Sequence, residues 1–118
     1  MPPLFGDRTG QDMPPPLLAI TVSRSNSETV IKLSGECDNS NVDELNKAVH
    51  EVLTSENRRI VLDVEELSFM GSCGLIPIER AIESLQLVGG TVVVHKPSRM
   101  LKWLLAFFDI SQNAIIIE

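Results

Sequence analysis

The side chains best suited to chemistry in this chain gather in one stretch, Ser68-Phe69-Met70-Gly71-Ser72-Cys73-Gly74-Leu75. A hydroxyl and a thiol stand side by side between two glycines, directly before an apolar pattern with helical spacing. At a helix start several backbone N–H groups lack partners and the dipole presents its positive end, so a phosphate at this loop would be stabilised. The same field favours the thiolate of Cys73, the property that a nucleophilic or redox-sensing thiol needs. His95 follows a strand whose end points toward this region, so a Cys73–His95 pair is a candidate, although no third orienting group accompanies it. The stretch is not a nucleophile elbow, because Gly71 and Gly74 are one residue too close for G-x-S-x-G. Cys37 and Cys73 form no C-x-x-C, and His50 and His95 complete no zinc-ligand spacing. No metal or cofactor is implied.

These residues must be positioned by the elements around them. Leu18, Ile20 and Val22 alternate with Ala19, Thr21 and Ser23, the period of a strand with one buried face. After a Ser25-Asn26-Ser27 turn, Thr29 to Cys37 reads as a second strand and completes a hairpin. Asp38-Asn39-Ser40-Asn41 is a cluster of capping residues, with acids three positions on at Asp43 and Glu44. The apolar spacing of Val42, Leu45, Val49, Val52 and Leu53 predicts a helix from there to about Ser55-Glu56-Asn57. Ile60 to Val64 predicts a short central strand buried on both faces, followed by a loop from Glu65 to Ser72. Leu75, Ile78, Ile82 and Leu85 mark a second helix that begins after Gly74, places Pro77 third, and stops at Gly89-Gly90. Thr91 to Val94 is a strand, Pro97 and Ser98 open a third helix, and Ala114 to Ile117 is a final strand. Met100, Leu101, Leu104, Leu105 and Phe108 form the stripe of that third helix. Trp103, Leu104, Phe107 and Phe108 are expected mostly in the core, with Trp103 partly exposed.

The predicted order is β-β-α-β-α-β-α-β, an α/β domain whose sheet is parallel after an antiparallel hairpin and therefore mixed. In such sheets the functional loops lie at the carboxyl ends of the strands, here Glu36 to Asn41, Glu65 to Gly74 and His95 to Ser98.

Composition bounds what these elements can do. The 118 residues are 43% apolar and 22% charged, enough for one packed domain with a short appendage and too few for a large enclosed cavity. Five of the seven prolines fall in residues 1-16, which read as a proline-rich arm ahead of a folded unit over 17-118. The net charge of -6, with one Trp, four Phe and no Tyr, argues against phosphate backbones, anionic lipid and base stacking. No direct nucleic-acid or membrane partner is expected. Met1 to Phe5 lacks the basic region of a secretory leader, no long uncharged apolar run appears, and the sparse cysteines suit a reducing cytoplasm.

Leu67-Ser68-Phe69-Met70-Gly71-Ser72-Cys73-Gly74-Leu75 resembles the phosphorylation loop of the anti-sigma factor antagonists, the STAS-domain family. That loop usually reads apolar pair, Asp, Ser, Ser or Thr, Gly, Leu. Leu33-Ser34-Gly35-Glu36-Cys37-Asp38 is similar to the family's Gly-Glu-apolar-Asp signature, and Ile60-Val61-Leu62-Asp63 to its strand before the serine loop. The resemblance covers about Leu17 to Ile117 and implies a STAS-type domain, a mixed sheet with helices mainly on one face. It also implies a non-enzymatic regulator that binds an anti-sigma factor serine kinase, frees a sigma factor, and loses that binding when the loop serine is phosphorylated. A serine phosphatase is a further implied partner, and the ATP belongs to the kinase. Carried across, Ser72 matches the phosphoacceptor and Asp38 the acid of the neighbouring loop. Partner contacts are expected from Asp38, Asn39, Gly71, Ser72, Cys73 and Gly74. Gly71 replaces the usual Asp and Cys73 the second hydroxyl residue. The alternatives are a STAS scaffold or small-ligand binder that takes no phosphate, and a thiol enzyme or redox sensor using Cys73.

Overall fold

The computed structural model describes residues 17–118, and the expected arm over 1–16 lies outside the described residues. Alternating apolar residues pair β1 (Leu18–Arg24) antiparallel with β2 (Thr29–Cys37), Ile20 opposite Leu33 and Val22 opposite Ile31. Every later strand is added parallel to the one before it: β3 (Arg59–Met70), β4 (Thr91–His95) and β5 (Ile115–Ile117). The sheet order β1-β2-β3-β4-β5 therefore repeats the chain order. Right-handed crossovers that always step in the same direction leave their helices on the same side of the sheet. Helices α1 (Val42–Leu53), α2 (Leu75–Gln86) and α3 (Arg99–Phe107) obey this, and the mixed sheet with helices on one face is as expected. Because the order never reverses, the sheet has no point at which neighbouring crossovers part to open a crevice.

The core lies between sheet and helices. Ile31, Leu33, Ile60, Leu62, Val92 and Val94 meet Leu45, Val49 and Val52 of α1 and Leu75, Ile78, Ala81, Ile82 and Leu85 of α2, all buried. Each such side chain contributes about 1.5–3 kcal/mol relative to exposure. The opposite face carries Val30, Val61 and Val93 among polar side chains, with ion pairs Arg59–Glu28 at 3.1 Å and Lys32–Glu66 at 3.2 Å. The central strand is thus not buried on both faces: Val61 and Asp63 are half-buried on the helix-free side.

Four further expectations are corrected. The predicted loop from Glu65 is strand as far as Met70. In the β2–β3 ladder, Lys32 pairs with Asp63 but Ser34 with Glu66, and Gly35 pairs with Leu67 but Glu36 with Phe69, so β3 carries one extra residue at each step. These two bulges change the spacing of its buried residues from two to three, Val64, Leu67 and Met70, and hide the strand from a period-two reading. The acids Asp43 and Glu44 stand in the first turn of α1, but Asn41 at its N-cap makes no side-chain cap hydrogen bond. Helix α1 stops at Leu53, where the Thr54 and Ser55 hydroxyls donate to the carbonyls of Glu51 and Val52. Finally, α3 buries Leu101 and Leu105, while Met100, Phe107 and Phe108 are exposed together with Trp103.

Helix α2 begins at Leu75 with Pro77 third, as expected, where a missing N–H leaves no acceptor without its partner. A 3₁₀ turn, Ser72–Gly74, precedes it without a break. Ser98 caps α3, its hydroxyl accepting the Leu101 N–H at 3.1 Å. Gly89, at φ 74, closes the end of α2, and the Gly90 N–H returns to the Leu85 carbonyl at 2.7 Å.

Candidate functional site

The pairing of Cys37 with Met70 ends β2 and β3 side by side, so the loops that follow them emerge together. Gly71 continues this ladder by one bond, its N–H donating to the Cys37 carbonyl at 2.8 Å. The backbone then turns. Gly71 is extended at φ -71 and ψ 162, Ser72 opens the 3₁₀ turn, and the Gly74 N–H closes it onto the Gly71 carbonyl at 2.9 Å. Ser72 is exposed and Cys73 half-buried, whereas Gly74 is buried against Met70. A Cβ on Gly74 would fall 2.7 Å from Met70 Cγ, a contact that only movement of the methionine side chain relieves. Gly71 has no such constraint: its φ suits any residue, and a Cβ would find its nearest neighbours at 3.7 Å.

The companion loop is held by its own side chains. Asn41, 6% exposed, accepts the Asp38 N–H on Oδ1 at 2.9 Å and donates from Nδ2 to the Glu36 carbonyl at 2.9 Å. It is a strut where the sequence suggested a cap. Asp38 accepts both the hydroxyl and the N–H of Ser40, and the Val42 N–H bonds to its carbonyl at 2.9 Å. The Ser40 hydroxyl and amide, in that order, hold the Asp38 carboxyl below the usual carboxylate range. Asn39 is exposed at the crest. Thus the Asp38–Asn39 loop at the end of β2 stands beside the Gly71 to Gly74 turn at the end of β3, with Gly74 itself buried.

His95 does not join them. It faces Asp63 across β3 and β4 on the helix-free side, Nδ1 to Oδ1 at 3.5 Å, so the Cys73–His95 pair has no geometric basis. Among the described residues no group of three metal-ligating side chains comes together. Cys37 is buried, and burial, followed by the neighbouring Cys73, pushes its thiol up to about 11, which leaves it inert at neutral pH.

Around Ser72 lies an apolar rim that the residue pattern did not reveal. Ser72, Leu75, Ile76, Glu79, Phe108 and Ile110 line one shallow depression, with Ile76 57% and Phe108 49% exposed. Ile76 is placed by its position next to the buried stripe of α2, and Phe108 by the end of α3. A signal was present for Ile76, which falls outside the Leu75, Ile78, Ile82 and Leu85 stripe, but not for Phe108, which keeps the helical spacing of Leu101, Leu104 and Leu105.

A family model described as the STAS domain matches residues 19–114. The chain belongs to the STAS-domain family. Its domain also has the fold of solved anti-sigma factor antagonists. SpoIIAA in its unphosphorylated form aligns at TM-score 0.72 and 22% identity, over 85% of this chain and 88% of that one. The Bacillus cell fate determinant SpoIIAA in its phosphorylated form aligns at TM-score 0.70 and 22% identity, over 85% and 92%. A Thermotoga maritima protein described as a putative anti-sigma factor antagonist aligns at TM-score 0.76 and 16% identity, over 84% and 86%. Within the described part of this STAS domain, no helix is long and apolar enough to cross a membrane.

Proposed function

We propose that this STAS domain is an anti-sigma factor antagonist: it binds an anti-sigma factor that is also a serine kinase, releases a sigma factor, and is switched off by phosphorylation of Ser72. One observation carries the reading. Ser72 is exposed at the head of a turn that runs into α2, beside the braced Asp38–Asn39 loop and inside a rim of Ile76 and Phe108. A kinase can reach the hydroxyl there, and the same surface can bury apolar area against it. Phosphorylation adds about -1.5 to -2 charges at that surface. The free amides at the start of the turn accommodate the phosphate, so the fold survives while docking is lost by repulsion and desolvation cost. Asp38, Asn39, Gly71, Cys73 and Gly74 supply the remaining contacts, a serine phosphatase reverses the switch, and the setting is cytoplasmic and non-enzymatic.

The absence of an acid at Gly71 favours a second reading, a STAS scaffold that takes no phosphate. One experiment separates the two. Incubation with the cognate anti-sigma kinase and ATP adds one phosphate mass, which Ser72→Ala abolishes, and Ser72→Glu weakens the complex at least tenfold. A stable complex without mass change selects the scaffold, and neither complex nor mass change with any such kinase overturns the proposal.

A further inference from the structure

The face of the sheet turned away from the helices is laid out in rows. The strand registers set Val30 beside Val61, Val61 beside Val93 and Val93 beside Ile115, so four aliphatic side chains stand in one line across β2 to β5. At about 4.8 Å per strand the line is about 14 Å long. Val93 is 1% exposed yet stands apart from the core between sheet and helices, Val30 and Val61 are half-buried, and Ile115 on the edge strand is 46% exposed. The helices of the described residues lie on the other face and give this row no cover.

Charged side chains flank the row at matching distances and with opposite signs. On β2, Glu28 stands two residues before Val30 and Lys32 two after; on β3, Arg59 stands two before Val61 and Asp63 two after. Side chains two apart on a strand share a face, and Glu28, Arg59 and Asp63 do line one depression with the three valines. Because β2 and β3 are parallel, Glu28 and Arg59 lie together on one side of the row, joined at 3.1 Å, while Lys32 and its register partner Asp63 lie on the other.

A half-turn about the row itself brings a second copy face to face with the first, its strands running the opposite way. Each valine then meets its own twin. Glu28 falls opposite Lys32 of the second copy, Arg59 opposite Asp63, and Thr91 opposite His95, and symmetry repeats every pair. Both charged pairs attract. Sheets stacked in this aligned manner lie about 10 Å apart with interdigitated side chains, a gap that lysine and arginine span. The sign pattern names the occupant: an unrelated partner needs no palindrome, whereas a self-complementary face requires that positions exchanged by the axis be opposite in charge.

We infer that this protein forms a homodimer in which the two helix-free faces stack about a twofold axis running along Val30, Val61, Val93 and Ile115. The β3 strand continues nine residues beyond Val61, to Met70, before the Ser72 turn, so the turn lies outside the contact in both copies. The dimer is independent of Ser72 phosphorylation.

Sedimentation equilibrium of the full chain tests it. At about 1 mM the protein sediments at twice the mass of one chain and dissociates on dilution. Arg59→Glu sets like charges opposite Asp63 of the second copy and raises the dissociation constant at least tenfold. Adding Asp63→Arg restores opposite signs across the axis and recovers most of the loss, with the circular dichroism of each variant unchanged. Should the β3 variants fail to fold, Lys32→Glu alone and then with Glu28→Lys repeats the test on β2. Trp103→Ser, on the exposed side of α3, leaves the dimer intact. A single-chain mass at about 1 mM overturns the inference. So do a dimer indifferent to Arg59→Glu, a folded double variant that recovers nothing, and a dimer lost with Trp103→Ser, which assigns the contact to α3.

Discussion

Gly71 and Cys37 are joined by a single hydrogen bond of 2.8 Å that extends the β2–β3 ladder one residue past its last paired side chains. It sets the point where the backbone leaves the sheet for the Ser72 turn. The bond uses only main-chain atoms, so the side chain at position 71 is free to vary. The departure from the family's acid at this position therefore has no backbone requirement behind it.

Gly71→Asp is accordingly expected to fold with a melting temperature within about 2 °C of the parent, since surface changes away from structural features stay near 0.5 kcal/mol. If the missing acid limits kinase recognition, the variant is phosphorylated at Ser72 severalfold faster. Steady-state kinetics on both proteins with the same kinase decide it, and equal rates would show that position 71 plays no part.

Asn41→Ala removes the buried strut and leaves the Asp38 N–H and the Glu36 carbonyl without partners. The expected loss is about 2–3 kcal/mol, measured by urea denaturation. Binding of the proposed anti-sigma partner should weaken further than this destabilisation explains, because the Asp38–Asn39 loop loses its support. Titration at a temperature where the variant is fully folded separates the two effects.

Gly35→Ala and Gly89→Ala probe two positive φ values with different surroundings. At Gly35, φ 95, the new Cβ collides with the Leu17 carbonyl, so the start of β1 must separate from β2. At Gly89, φ 74, nothing lies within 4 Å and only the backbone preference is lost. We expect more than 3 kcal/mol of destabilisation in the first case and about 1 kcal/mol in the second. Equal losses in chemical denaturation would remove the close approach of Leu17 as a cause.

The Cys37 thiol gives stability a defined alkaline dependence. Its folded value of about 11 lies above the ordinary 9.0, so the unfolded chain ionises first as pH rises. The stabilising contribution is complete below about pH 9 and is lost as pH rises from there through 11. Melting temperatures between pH 8.5 and 11 should fall less steeply in Cys37→Ala than in the parent. At pH 8.5, iodoacetamide should label Cys73 in the native protein and leave Cys37 untouched until denaturant is added.

The secondary-structure order was readable because most segments keep one period throughout. The helical spacing of α2 and the run Val92 to Val94 survive folding as read, whereas β1 forms where expected but buries only Leu18 and leaves Val22 exposed. β3 failed after Val64 because its two bulges break the alternation, and Glu65, Glu66, Ser68 and Phe69 are all exposed. The Ser72 loop was legible from local residue types, and its pairing with the Asp38 loop followed from strand ends meeting. What stayed hidden depended on tertiary placement: which face of α3 meets the core, and that Asn41 spans from Glu36 to Asp38 instead of capping its helix. Aromatic residues at helical spacing carry no mark of which side will be covered.

The identity of sheet order and chain order also has a consequence for biosynthesis. Each strand pairs with one that the ribosome has already delivered, so assembly can follow translation without waiting for distant sequence. The Ser72 turn takes its shape only after Met70 has docked beside Cys37, and a nascent chain that has not reached this stage offers a kinase no shaped acceptor. Under the proposed switch, phosphorylation would therefore act on finished copies.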